Sequence, residues 1–78
     1  MNPKVTTVKP LVAYKLELCF QNGEKRIFDV EPYLNKGIFN ELKDESYFKK
    51  ARVVFGSIEW PNEQDFCTDT LYLNSESI

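Results

Sequence analysis

Apolar and polar residues alternate most clearly from Ala13 to Phe20, where Tyr14, Leu16, Leu18 and Phe20 are interleaved with Lys15, Glu17 and Cys19. A period of two places the first set on one face of a β-strand. Gln21-Asn22-Gly23-Glu24 follows, and Asn-Gly is a favoured centre for a tight hairpin because both residues tolerate positive φ. The returning strand is expected over Lys25 to Val30, with Phe28 and Val30 set against Arg26 and Asp29. Upstream, Val5 to Lys9 is a short β-prone run that Pro10 is expected to interrupt.

The period changes after Val30. In Glu31-Pro32-Tyr33-Leu34-Asn35-Lys36-Gly37, Pro32 suits the first position of a helical turn and Gly37 the left-handed position that ends one. Phe39, Leu42 and Lys43 stand at helical spacing. Asp44 is a good N-cap for a second short helix through Ala51, whose apolar stripe is Tyr47, Phe48 and Ala51.

Val53-Val54-Phe55 then reads as a strand, Gly56 as a turn or bulge, and Ser57 to Trp60 as a strand that Pro61 stops. Asn62 to Asp65 is loop chemistry. Asp69 to Leu73 predicts a helical turn docking Leu71 and Tyr72, and Ser75 to Ile78 is expected to fray. Strands, then helices, then strands imply an α+β domain. Its sheet is small, antiparallel or mixed, with about five short strands, an N-terminal hairpin and short helices on one face. One domain is expected over 1–78, with a compact core over about residues 5–73.

A chain of 78 residues buries roughly 60–65% of the surface it exposes when unfolded. Pairing with another chain is therefore a natural source of further stability. The composition is globular, 42% hydrophobic and 14% aromatic. Net charge is −2, and the densest basic run, Lys49-Lys50-Ala51-Arg52, lies close to Asp44 and Glu45. That disfavours direct nucleic-acid binding, which draws its affinity from a concentrated basic face. No stretch approaches the roughly 20 apolar residues of a membrane span. Met1-Asn2-Pro3-Lys4 does not open the apolar core of a signal peptide. The expected location is the cytoplasm, with Cys19 and Cys67 reduced.

Several residues form a pattern in order: Phe20-x-Asn22-Gly23, Asp29-x-x-Pro32-Tyr33-Leu34, Gly37-x-Phe39-x-x-Leu42 and Phe48. Gly56-x-Ile58-x-Trp60-Pro61-Asn62, Asp65 and Leu71-Tyr72 complete it. Together they resemble the bacterial family catalogued as domain of unknown function 2442, from about Val5 to Tyr72. The resemblance implies no established activity. It implies either a sensing or dimerising module beside a helix-turn-helix domain, for which this chain leaves no room, or an antitoxin-like or regulatory partner encoded beside a toxin-like gene. Glu63 departs from the family pattern, in which glycine is common, and the loop after Asn62 is where that departure is expected to act.

There is no histidine, so nucleophile activation by imidazole and imidazole-mediated proton transfer are excluded. Two cysteines fall short of a four-ligand zinc site, and three isolated glycines form no phosphate-cradling loop. Asp29, Glu31, Glu59, Asp65 and Asp69 leave room for a carboxylate pair, but turn capping and a solvated strand face account for them more simply. No cofactor or metal is implied. Trp60 shares a strand face with Ile58 and either completes the core or stands partly at the surface with Tyr33 and Tyr72. Tyr and Trp in the second arrangement are natural binding anchors. The expectation is a non-catalytic protein-interaction module whose partner is a second copy or the product of an adjacent gene. The alternatives are an antitoxin-like or regulatory subunit of a two-gene system and a carboxylate enzyme.

Overall fold

A computed structural model describes residues 2–77. Strands β1 (Val5–Leu11), β2 (Lys15–Phe20) and β3 (Lys25–Asp29) form an antiparallel meander. 3₁₀ turns at Glu31–Tyr33 and Gly37–Lys43 lead to a single α-turn, α1 (Glu45–Phe48). A second meander follows: β4 (Arg52–Val54), β5 (Ser57–Glu59) and β6 (Asp65–Phe66). The chain then forms α2 (Thr68–Leu73) and closes with β7 (Glu76–Ser77), which pairs with β3. The class is α+β, with all strand pairs antiparallel in two sheets, β1-β2-β3-β7 and β4-β5-β6.

Local chemistry accounts for most of these elements. Leu16, Leu18 and Phe20 of β2 are buried while Lys15, Glu17 and Cys19 are only half-covered, which is the period of two made physical. Asp44 caps α1 by accepting the Ser46 N–H at 2.9 Å. That turn ends at Phe48, short of Ala51, because Lys49-Lys50 tighten into a turn that feeds β4.

Pro10 does not interrupt β1. It sits opposite Leu16 inside a strand that runs to Leu11, a place open to proline because β1 is the edge of its sheet. The first hairpin also differs from a two-residue Asn-Gly turn. Gly23 alone takes positive φ, at 87°. The Gly23 N–H donates to the Phe20 carbonyl and the Phe20 N–H to the Glu24 carbonyl, each at 2.9 Å. This is a three-residue loop closed by a glycine bulge.

The C-terminal segment is the largest correction. Ser75 is buried, and Glu76–Ser77 hydrogen-bond to β3 where fraying was expected. Ile78 of that segment, and Met1 at the start, lie outside the described residues.

The core is one cluster shared by both sheets, joining Leu16, Leu18, Phe28, Ile58, Trp60 and Leu71 with their buried neighbours. The sheets meet at β1 and β4, where the Val5 N–H donates to the Gly56 carbonyl at 2.9 Å. That carbonyl also accepts the Thr68 hydroxyl at 2.9 Å, so one glycine oxygen ties β1, the β4–β5 turn and α2 together.

Candidate functional site

Two apolar features stand out of this fold, one convex and one concave. The convex one is the β4–β5 hairpin tip. Val54 pairs with Ser57, leaving Phe55-Gly56 as a two-residue turn with φ of 49° and 80°. A tight hairpin of this hand needs positive φ at both central positions, which glycine adopts freely and phenylalanine does not. Phe55 is nevertheless 97% exposed, so no burial within the chain offsets that strain. The Lys4 side chain lies over Gly56, close enough that an added Cβ would stand 2.7 Å from the Lys4 Cβ.

The concave feature is a cavity of about 170 Å³ between the end of β1, the Val12–Tyr14 turn and α1. Its apolar lining includes Pro10, Leu11, Val12, Tyr14 and Phe48, with Glu45 and Lys49 also bordering it. Ala13 and Tyr14 take consecutive left-handed conformations, at φ of 61° and 59°. That turn leaves Val12 89% exposed and directs the Tyr14 ring edge-on against Phe48, with centroids 5.4 Å apart. The Tyr14 hydroxyl donates to the Lys43 carbonyl, which anchors the cavity wall. Among the described residues, three of the four non-glycine positions with positive φ thus belong to these two features.

The aromatic trio singled out in the sequence is not assembled into a surface. Trp60 is 0% exposed, and its Nε1–H donates to the Phe48 carbonyl at 2.9 Å. It completes the core, and the surface alternative is corrected. Tyr33 is half-buried, stacked on Phe28 and edge-on to Phe66. Tyr72 lies elsewhere, edge-on to Phe20 with the Arg26 guanidinium 4.2 Å above its ring. Phe55, read as the end of a strand, is the exposed aromatic. The signal was present in the glycine that follows it between two short β-prone runs.

The other motif residues shape turns and core. Asn22 Oδ1 accepts the Glu24 N–H at 3.0 Å, and Asp29 accepts the Glu31 N–H at 3.0 Å ahead of the Pro32 turn. Ile58 and Leu71 are buried. Asn62, after Pro61, donates its side-chain amide to Glu41 and its backbone N–H to the Tyr47 hydroxyl, each at 2.8 Å. Asp65 is exposed on β6 opposite Glu59, whose carboxylate meets Arg52 at 3.4 Å. Asp29 belongs to the other sheet. Among the described residues no three Asp, Glu or Cys side chains converge as metal ligands do.

Two further polar groupings went unread in the sequence. Gln64 is buried and fully bonded: its amide donates to the Ile38 carbonyl and to Glu41, and its oxygen accepts the Tyr47 hydroxyl. Arg26 donates to Glu24 and to the carbonyls of Tyr72 and Ser75, clasping the end of α2. The Tyr72 hydroxyl, the Asn22 amide and Arg26 all donate to Glu24 and hold its carboxyl below the usual glutamate range. Both cysteines are free thiols. Exposed Cys67 precedes α2, and hydrogen bonding to the Thr70 hydroxyl and backbone lowers its pKa.

Fold and surface define a small two-sheet α+β domain with an aromatic core, a strained aromatic tip and one apolar notch. The chain belongs to the family described as proteins of unknown function (DUF2442), whose model matches residues 5–77. No curated protein and no solved structure matches it. Among the described residues no helix is long and apolar enough to cross a membrane.

Proposed function

We propose that this domain is a non-catalytic protein-interaction module that works in the cytoplasm through apolar contact. The observation that carries the reading is Phe55, a phenyl ring held out in water on a backbone conformation that phenylalanine disfavours. Strain retained with no compensating burial is a mark of functional positions, and exposed aromatics are the usual anchors of protein interfaces. The sequence supports the non-catalytic half of the reading, since it contains no histidine. So does the placement of its candidate carboxylates, with Glu59 and Asp65 on one sheet and Asp29 on the other.

The partner is a second copy or the product of the adjacent gene. Co-expression with that gene product, alongside sedimentation of the chain alone, tests the reading. A complex of either kind that Phe55→Ser weakens, with the circular dichroism of the chain unchanged, supports it. A chain that remains monomeric and binds no adjacent gene product overturns it.

A further inference from the structure

The convex and concave features fit each other, and we infer that the domain pairs with a second copy of itself by seating Phe55 of each chain in the Val12–Tyr14–Phe48 notch of the other. This inference rests on the interaction reading above and names its occupant.

Size is the first argument. A cavity of about 150 Å³ lined by apolar side chains accommodates a benzene ring, and the notch measures about 170 Å³. Phe55 carries a ring of that size with nothing of its own chain around it.

Placement is the second. β1 begins at Val5, bonded to the Gly56 carbonyl beside the tip, and ends at Leu11 in the notch wall. Six residue steps of extended chain separate tip from notch by about 20 Å. A two-fold axis midway between tip and notch carries each tip to the other copy's notch at once. Such a two-fold contact is self-complementary and closes at the dimer.

Charge is the third. Lys4 lays the stem of its side chain over Gly56 at the tip, and the notch is bordered by Glu45, which makes no ion pair within its own chain among the described residues. Lys49 borders the notch as well, so the rim is mixed, and the pairing is led by the ring.

Sedimentation equilibrium up to millimolar concentration, combined with photocrosslinking from Phe55→p-benzoylphenylalanine, tests the pairing. The expected result is a wild-type dimer, a monomeric and folded Phe55→Ser variant, and a crosslink from position 55 to the peptide holding Val12 and Tyr14 in another copy. Val12→Arg, an exposed position whose replacement leaves the core intact, is expected to abolish the dimer in the same way. A wild-type dimer untouched by Phe55→Ser, or crosslinked elsewhere, overturns this docking and leaves the broader interaction reading standing. A wild-type monomer at millimolar concentration overturns self-pairing, and the broader reading then stands or falls on the adjacent gene product.

Discussion

Glu63 occupies in the β5–β6 loop the position that Gly23 occupies in the β2–β3 loop. The Glu63 N–H donates to the Trp60 carbonyl at 3.0 Å and the Trp60 N–H to the Gln64 carbonyl at 2.8 Å, the same closure that Gly23 makes around Phe20 and Glu24. φ is 87° at Gly23 and 71° at Glu63, and an asparagine precedes each. One loop design has been built twice, once with glycine at the left-handed position and once with a residue that disfavours it. Glu63 in place of a glycine thus changes the backbone strain, while the loop geometry is kept.

Glu63→Gly is accordingly expected to stabilise the domain. Left-handed backbone costs a non-glycine residue roughly 1–2 kcal/mol, and glycine's greater freedom when unfolded takes back about 0.5–1 kcal/mol. A net gain of about 0.5–1 kcal/mol follows, readable as a higher urea midpoint at constant slope. Gly23→Ala, where no side chain contact lies within 4 Å, is expected to lose about 1 kcal/mol from backbone strain alone. Equal midpoints for Glu63→Gly and wild type would show that the strain is relieved in solution.

Glu24 gives the fold a dependence on acid. Its carboxyl is held low chiefly by the Tyr72 hydroxyl, then by the Asn22 amide and by Arg26. A depressed folded pKa means that the folded state holds its proton less tightly than the unfolded chain. The stabilisation is therefore complete above the ordinary glutamate pKa and is lost as pH falls through the lowered folded value. Tyr72→Phe removes the leading donor and is expected to raise the Glu24 pKa and flatten this acid limb. Carboxyl chemical shifts followed against pH, with melting temperatures at each pH, check both; an unmoved titration in Tyr72→Phe would discount the hydroxyl.

Cys67 is expected to be the reactive thiol of the pair. It is exposed, and hydrogen bonding from Thr70 favours its thiolate, whereas Cys19 is half-covered on β2. Since the thiolate is the nucleophile, iodoacetamide should label Cys67 first, and Thr70→Val should slow that labelling by raising the thiol pKa. Peptide mass mapping after brief alkylation distinguishes the sites, and equal labelling of Cys19 and Cys67 would count against the assignment.

The parts of this fold legible in the sequence were those set by neighbours along the chain. Alternation marked β2 over Lys15 to Phe20, while Ala13 and Tyr14, expected in the same strand, form a left-handed turn ahead of it. Asn22-Gly23 marked its hairpin and Asp44 the start of α1, because each is a contest among a few adjacent residues. Nothing local separates one sheet from two: that division follows from where β1 meets β4, a contact between segments far apart in sequence. The pairing of Glu76–Ser77 with Arg26–Ile27 is likewise non-local, and it turned an apparently frayed tail into an edge strand held by Arg26. Phe55 was misread for a different reason. Its side chain favours strands by propensity, yet the turn requirement of the Phe55-Gly56 pair overrode that preference. For Trp60 the phase it shares with Ile58 left core and surface both open, because an indole has an apolar body and a polar handle; burial and the bond to the Phe48 carbonyl decide for the core.

The buried amide of Gln64 joins three neighbouring segments of the chain. Its oxygen accepts the Tyr47 hydroxyl at 2.6 Å, while its nitrogen donates to Ile38 and Glu41 at 3.0 and 2.9 Å. The 3₁₀ segment, α1 and the β5–β6 loop are thereby fastened at one side chain. Tyr47→Phe keeps the ring and strands the buried oxygen of Gln64, and an unmade bond of that kind costs about 1–3 kcal/mol. Gln64→Leu removes the amide and leaves the Ile38 carbonyl unbonded, at a similar expected cost. In the double variant the Tyr47–Gln64 bond can be lost only once, so the combined loss should fall short of the sum by about 1 kcal/mol, within the range measured for contacting pairs. Urea denaturation of all four proteins measures this coupling. Strict additivity would mean that the two side chains act independently and that the network does not hold the loop to the helix.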